Sequence, residues 1–252
     1  MQTVSRAISL LRCFEEGAIS LSLAELTRLS GLNKATVYRL AETLCEEDLL
    51  DKNPKTAIYS ISYGLISLGR SLLDPSGLSS RVQPVLQAAK EATGETTIIN
   101  LRDGQSAVVI TEILSSQPVR YSLGTGFRAD LRVGAAGWAI LAQLPEVETE
   151  EILAKPFKGF ADGVSLSTDE IRSGLELAKK RGYAFTEGQR VPDAGGYAAP
   201  FFGPDGTVSG SIAVIMPSSR NRSEDHQKLF SSCVVRAAAD ISNMMRASRA
   251  IT

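Results

Sequence analysis

The chain has 252 residues, of which 43% are hydrophobic, and a formal net charge of −1. It can therefore form a sizeable core, and its length predicts one or two domains. The charge balance excludes a protein that coats nucleic acid through its overall charge, but a sequence-specific reader needs only a local cationic patch. Three isolated cysteines argue against disulfides and zinc sites and indicate a reducing compartment. Without a signal-peptide pattern or a membrane-spanning run, the expected location is the cytoplasm.

The first part of the chain has the pattern of two short helices joined by a tight turn. Apolar residues at helical spacing from Val4 to Phe14 predict a leading helix. Ser22 and Glu25 form a capping-box pattern that opens a second helix, and Gly31 can end it in a left-handed conformation. A third helix follows almost at once. Two helices around a glycine-containing turn are typical of a helix-turn-helix.

The third helix is predicted to begin after Asn33, a good N-cap residue. Its apolar positions recur on one face, whereas short polar groups and cations lie mostly off that face. Such side chains reach phosphates and base edges when a helix lies in the DNA major groove. By itself the segment is equally compatible with an amphipathic surface helix, but the preceding helix favours DNA recognition. The predicted contacts are Lys34, Ala35, Thr36, Tyr38 and Arg39.

Two strand-like runs on either side of Asn53-Pro54 predict a hairpin. Placed after a recognition helix, the hairpin is a wing whose Lys52 and Lys55 can meet phosphate. A hairpin that only closes the small core is an equal alternative for either lysine. Residues 1–73 contain eight cations and eight anions, so one copy should bind DNA weakly and at least a dimer is expected. We predict a winged helix-turn-helix domain over residues 1–62, a linker helix over 63–77 and a second domain over 78–252.

The second domain is predicted to be α+β. Strand-like runs cover 96–101, 107–114, 119–123, 183–187, 197–202 and 208–216, and helical patterns cover 80–93, 134–144, 148–154, 169–181 and 223–249. Strands, then helices, then strands again predict a mostly antiparallel sheet with helices packed on one side.

Several motifs in order carry a family resemblance. They are SRAISLL (5–11), GLNKATVYRL (31–40), GFRADLR (126–132), AAGWAILA (135–142), GYAF (182–185), AAPF (198–201) and IAV (212–214). From residue 3 to about 246, the chain resembles the isocitrate-lyase-regulator (IclR) family of bacterial transcription factors. The resemblance implies a winged helix-turn-helix, a GAF-like domain that binds a small metabolite, and homodimers or dimers of dimers.

The chain departs from the family pattern in the effector half. The family often has Pro at Asp130, His at Arg132, Lys at Trp138, Cys at Gly196, serines at Ala213 and Ile215, and an acidic run where Thr186 to Gln189 lie. These replacements remove polar groups and volume from the expected pocket. A very small polar ligand would leave its own groups unpaired there, so we predict a larger or more apolar effector.

The helix that opens near Ala135 offers backbone N–H groups and the positive end of its dipole to an anion. We therefore expect an organic acid, aromatic acids included, with Arg128, Arg132 or Arg190 assisting. The alternative for each arginine is a surface or salt-bridging role. The predicted effector contacts are Phe127, Arg128, Leu131, Ala135, Ala136, Gly137, Trp138, Thr186, Ala194, Gly196, Ala213 and Ile215.

Two other functions are compatible with parts of the sequence. An enzyme is disfavoured because the sole histidine, His226, lies in a polar turn, Cys233 lies among apolar helix positions, and no Gly-x-Ser-x-Gly elbow occurs. No cofactor or metal is expected. A sensor module that has lost DNA binding is disfavoured by Lys34, Thr36 and Arg39. The prediction is an effector-responsive regulator of double-stranded DNA, with repression favoured over activation, in which the effector changes how two chains pair.

Overall fold

The computed structural model describes residues 2–15, 17–73, 78–157, 166–221 and 223–248. The chain divides into two compact units, Met1–Ser76 and Gly77–Thr252, so the helix predicted as a linker belongs to the first unit. The end of that predicted segment, residues 74–77, lies outside the described residues. No helix in the described part of the chain has both the length and the apolarity needed to cross a membrane.

The first unit contains four helices and a small antiparallel sheet. The helices are α1 (Gln2–Arg12), α2 (Leu23–Ser30), α3 (Lys34–Glu46) and α4 (Gly64–Leu73), and the strands are β1 (Ser20–Ser22), β2 (Leu50–Lys52) and β3 (Ile58–Ile61), in the order β1-β3-β2. The predicted helices and hairpin are confirmed. Strand β1 was not predicted, because three residues with one buried side chain, Leu21, are too short to show a period.

Local hydrogen bonds fix the boundaries of the helix-turn-helix. The Glu25 N–H donates to Ser22 Oγ over 3.3 Å, and the Ser22 N–H donates to the Glu25 carboxylate over 2.8 Å. Gly31 then ends α2 at a φ of 66°, a left-handed conformation that glycine adopts without strain. Asn33 Oδ1 accepts from the Thr36 N–H over 2.9 Å and opens α3. The predicted caps are thus present.

The second unit is built on one six-stranded sheet in which every pair of neighbours is antiparallel. Its strands are β4 (Thr96–Asp103), β5 (Ser106–Ile113), β6 (Arg128–Asp130), β7 (Ala184–Glu187), β8 (Ala194–Phe202) and β9 (Val208–Pro217), in the order β6-β5-β4-β9-β8-β7. Its helices are α5 (Leu78–Thr93), α6 (Gly134–Leu141), α7 (Glu146–Leu153), α8 (Thr168–Arg181) and α9 (Glu224–Ser248). The predicted α+β class is confirmed.

The prediction that helices pack on one side of this sheet is wrong. Ile98 belongs to a core with residues of α6, α7 and α8, whereas its neighbour Ile99 belongs to a second core with residues of α5 and α9. Successive side chains of a strand point to opposite faces, so both faces of the sheet are covered. The near-continuous apolar run in β9 is what a sheet buried on both faces requires.

The strand predicted over residues 119–123 is also absent from the described structure, which has an irregular segment there. The apolar residues at every second position, Val119, Tyr121 and Leu123, do not reflect a strand. Val119 is exposed, while Leu123 packs against the core that contains α6. The apolar side chain therefore covers a core edge without a partner strand. Strand β6 was missed because Arg128-Ala129-Asp130 lacks β-forming residues.

Candidate DNA-reading surface and effector cavity

Helix α3 separates its core residues from its polar residues as the sequence predicts. Val37, Ala41 and Leu44 are buried and form the core of the first unit with residues of α1, α2 and the sheet. On the other side, the described positions of the predicted contacts are solvent-facing: Lys34, Ala35, Tyr38 and Arg39 are exposed and Thr36 is half-buried. The helix can therefore offer these groups to DNA without loss of core packing.

Lys52, predicted as a wing contact, is held within the unit. Its Nζ lies 2.8 Å from Glu42 Oε1 on α3, and it stands over the rings of Tyr38 and Tyr59 at 5.1 and 5.4 Å from their centroids. The Tyr59 hydroxyl donates to the same Glu42 oxygen over 2.9 Å. The hydrogen bond from Lys52 lowers the pKa of Glu42 and raises that of Lys52 itself. The pair fastens the wing to α3.

Lys55 occupies a different place, in the turn of the hairpin. Its side chain is exposed, and its backbone N–H donates to Asn53 Oδ1 over 2.9 Å. The turn is thus fixed by Asn53, which also accepts from the Thr56 N–H over 3.2 Å. Of the two predicted wing lysines, Lys55 is the one presented to solvent.

The second unit contains a cavity between the sheet, α6 and the loop after β7. The space between its walls, open solvent at the mouth included, is about 780 Å³. Its walls are mostly apolar, and Arg190 is the one charged residue among the described residues that line it. The predicted contacts that line the cavity are Phe127, Ala135, Ala136, Gly137, Thr186, Ala194, Gly196, Ala213 and Ile215.

Three predicted contacts lie outside the cavity lining. Arg128 is half-exposed and its Nη1 lies 2.7 Å from Asp103 Oδ2. Leu131 is fully buried in the core. Trp138 packs against Gly174 on α8, and its indole N–H donates to the Arg132 carbonyl over 2.7 Å. Their side chains serve an ion pair and the core, and we therefore leave them out of the proposed site.

Arg132 has a structural role, as the salt-bridging alternative predicted. Its guanidinium donates to both carboxylate oxygens of Asp130 over 2.8 and 2.7 Å and to the Lys155 carbonyl over 2.7 Å. It also stands over the Phe157 ring at 4.5 Å from the centroid. Two departures from the family pattern, Asp130 and Arg132, are thus a matched pair. This pair lies among structural contacts and does not line the cavity.

Arg190 is the arginine that reaches the cavity. Its guanidinium carbon lies 4.4 Å from the centroid of the Phe127 ring, and its Cδ would be 3.3 Å from a Cβ placed on Gly134. The side chain therefore crosses the first residue of α6. Burial lowers the pKa of Arg190, because a charged group is disfavoured where water is excluded. An arginine remains protonated even so, and it places a cation beside a helix N-terminus.

The start of α6 is otherwise lightly capped. Val133, at the N-cap, supplies no side-chain hydrogen bond, and the Gly134 N–H donates to Gln189 Oε1 over 2.9 Å. Because the acceptor is a neutral amide, this cap adds no negative charge at the start of α6. The local potential is correspondingly more favourable for an anion.

The structure adds polar lining residues that were not among the predicted contacts, namely Asn100, Tyr121 and Gln189. Asn100, on β4, is 3% exposed, and no hydrogen-bond partner contacts its Nδ2 in the part of the chain that the structure describes. The signal in the sequence is a single amide in the apolar strand Thr96-Thr97-Ile98-Ile99-Asn100-Leu101. Buried amides are normally hydrogen-bonded, so a lone one in a strand is worth noticing.

Comparison with known proteins defines the class. The model of the bacterial transcriptional regulator IclR C-terminal domain matches residues 71–243, and that of the IclR helix-turn-helix domain matches residues 3–54. The chain belongs to the IclR family of transcriptional regulators, which are not enzymes. The resemblance found in the motifs is thereby confirmed.

Individual relatives agree with this assignment. The chain is 25% identical to the transcriptional repressor IclR of Escherichia coli over 96% of its length and 89% of that protein. The Thermotoga maritima IclR structure has a TM-score of 0.76 at 23% identity, with 98% of this chain and 99% of that chain covered. An IclR homologue from Microbacterium hydrocarbonoxydans, complexed with 4-hydroxybenzoate, has a TM-score of 0.80 at 19% identity, with 97% and 99% covered.

Proposed function

We propose that this DNA-binding regulator is a repressor that responds to an organic acid, aromatic acids included, bound in the cavity of its second unit. The observation that carries the proposal is Arg190 beside the N-terminus of α6, the one charge that the described residues contribute to a mostly apolar lining. A carboxylate there meets a cation and the positive end of a helix dipole together. The low polarity of the site strengthens both attractions.

The remaining walls suit the body of such a ligand. Ala135, Ala136 and Gly196 are small, and a Cβ placed on Gly196 would meet that of Ala135 at 3.7 Å, so bulk added there would narrow the cavity. Phe127 and Ile215 offer apolar surface. The Microbacterium homologue with 4-hydroxybenzoate supports the choice of an aromatic acid, because its fold is the same.

For the DNA, we propose contacts from Lys34, Ala35, Thr36, Tyr38 and Arg39 on α3, with Lys55 on phosphate. Lys52 contributes indirectly, because its bond to Glu42 positions the wing. Since the first unit has little net charge, we propose that a homodimer or tetramer, acting in the cytoplasm, presents two or more copies to a double-stranded operator. Residues 63–77 would couple the winged domain, 1–62, to the effector domain, 78–252.

Calorimetry tests the effector class. We expect the full-length protein to bind benzoate or a hydroxybenzoate and to bind neutral benzamide at least about tenfold more weakly, as expected when a charge-assisted contact is lost. Arg190→Ala should reduce that preference severalfold and leave only the part that comes from the helix dipole, whereas Arg128→Ala, which removes an arginine paired with Asp103, should leave it intact. Binding of neutral molecules alone would contradict an acid effector. An undiminished preference in Arg190→Ala would remove Arg190 from the site.

A further inference from the structure

We propose that Asn100 selects effectors that carry a hydroxyl group in addition to the carboxylate, and thus that the ligand is a hydroxylated aromatic acid. This inference rests on the proposed function and adds a second polar requirement to it. Its basis is a buried amide that lines the cavity and whose Nδ2 contacts no acceptor among the described residues.

The strand geometry directs this amide at the cavity. Ile98 and Asn100 share the cavity face of β4, whereas Ile99 between them packs in the opposite core. The pairing of β4 with β5 shifts register between Ile99 and Asn100. Such bulges are frequent next to binding sites, where they re-aim a side chain. The position of Asn100 is therefore set by the backbone and not by a contact of its own amide.

The residues that pair with Asn100 on the two neighbouring strands do not supply a hydrogen-bond acceptor for its amide. Its cross-strand partner on β9 is Ser211, whose hydroxyl donates to the Ala136 carbonyl over 3.1 Å. Its partner on β5 is Val109, which is apolar. Because a buried polar group without a partner destabilises a fold, an apolar side chain at this position would serve stability better. The amide is explained if a ligand supplies the partner.

A hydroxyl is the group that fits. The oxygen and nitrogen of an asparagine amide exchange places when the group flips, and a hydroxyl both donates and accepts, so it pairs with either orientation. Asn100 stands on the strand wall, whereas Arg190 comes from the loop after β7 and crosses the start of α6. One ligand meets both walls if it has polar groups at two positions and an apolar body between them.

Titration calorimetry with benzoate, the three monohydroxybenzoates and phenol tests the inference on the full-length protein. The wild type should bind the best hydroxybenzoate at least about tenfold more tightly than benzoate, because a site built to bond a hydroxyl rejects the analogue that lacks it. In Asn100→Leu and in the less bulky Asn100→Ala, the ratio should fall to about threefold or less, with benzoate affinity kept or improved. Asn243→Leu, the same change on the exposed face of α9, should leave the ratio unchanged.

Thermal melting of the ligand-free variants separates ligand selection from a structural role. Asn100→Leu should melt at the wild-type temperature or above it, because it removes an unpaired buried donor. A lower melting temperature for both Asn100 variants, relative to Asn243→Leu, would overturn the inference. Asn100→Ala carries the test if the leucine variant does not fold.

The calorimetric outcomes distinguish the two proposals. An unchanged hydroxyl preference in the Asn100 variants, or a wild type that prefers benzoate, overturns the role of Asn100 and leaves the acid effector standing. Binding of phenol that depends on Asn100, without binding of any acid, overturns the acid effector and keeps the role of Asn100. A wild type that binds none of the probes overturns both.

Discussion

The two units place their functional polar groups in opposite ways. In the first unit, Lys34 and Arg39 project into solvent from a helix whose other face forms the core. In the second unit, Arg190 and the buried Asn100 line a cavity with mostly apolar walls. Exposed cations have little effect on the free energy of folding, whereas burying a polar group costs free energy unless it is hydrogen-bonded. Substitutions in the first set should therefore change binding alone, and substitutions around the cavity should change stability as well.

The largest effect should come from the cavity wall itself. A Cβ on Gly137 would lie 2.6 Å from the Leu131 carbonyl oxygen, so Gly137→Ala must push α6 away from backbone. We expect a loss of about 2–3 kcal/mol in the free energy of unfolding, as for overpacked cores. Urea denaturation followed by fluorescence measures it, because the only tryptophan, Trp138, lies in this unit.

The matched control for that experiment is Gly69→Ala, in the interior of α4. A Cβ there meets no atom within 4 Å, and alanine is a better helix former than glycine, so stability should be unchanged or gain up to about 1 kcal/mol. Because Trp138 lies in the other unit, urea denaturation of this variant is followed by far-UV circular dichroism. Equal destabilisation by both substitutions would show that the crowding at Leu131 is not what matters.

The next effect concerns DNA alone. Arg39→Ala should weaken binding to the protein's own upstream region about tenfold or more, because it removes a solvent-facing cation from α3. Its stability should stay within about 0.5 kcal/mol of the wild type, since no core contact is lost. A gel-shift titration at two salt concentrations measures the loss.

Lys179→Ala, an exposed cation on α8 of the other unit, is the control and should bind DNA like the wild type. Undiminished binding by Arg39→Ala would remove Arg39 from the proposed contacts. An equal loss in both variants would point to overall charge as the cause.

A smaller effect, on stability, is expected where Lys52 of the wing bonds to Glu42 of α3. The pKa of Glu42 is lowered by its hydrogen bond from Lys52, so the bond stabilises the fold above the ordinary carboxyl pKa of 4.5. This stabilisation is lost as pH falls through the lowered pKa of the folded state. Because both side chains are partly exposed, Glu42→Gln should lower the melting temperature by only a few degrees at pH 7, and the deficit should vanish in acid.

Two probes localise that effect. Far-UV circular dichroism reports both units, whereas Trp138 fluorescence reports the second unit only. We expect the shift in the first probe and not in the second. A deficit that is as large at pH 3 as at pH 7 would contradict an ionic origin.

The smallest expected difference between the two units is in the reactivity of their cysteine thiols. Cys233 is 4% exposed and burial raises the pKa of its thiol, whereas Cys13 and Cys45 in the first unit are half-buried, with pKa values also raised by burial. Since the thiolate is the reactive form, labelling by iodoacetamide at pH 8 should be slow at all three and slowest at Cys233. Mass spectrometry of peptides measures the order, and rapid labelling of Cys233 in the native protein would show that α9 opens readily.

The first unit could be predicted closely because its signals are local. Ser22, Gly31 and Asn33 act on backbone groups within three or four residues of themselves, and the exposed face of α3 follows from the helical period. The features of this unit that the sequence did not show include two that need a distant partner, namely the short strand β1 and the ion pair between Lys52 and Glu42.

In the second unit, the sequence determined the family, five of the six described strands and the small residues around the start of α6, since these are recorded in motifs and in hydrophobic periodicity. Only the tertiary structure decided that helices cover both faces of the sheet. It also decided that Arg128 forms an ion pair with Asp103 and Arg132 with Asp130, and that Arg190 and Asn100 line one cavity. The reason is physical. A local pattern fixes which backbone groups and faces an element presents, but whether a charge or an amide is paired depends on residues far away in the chain.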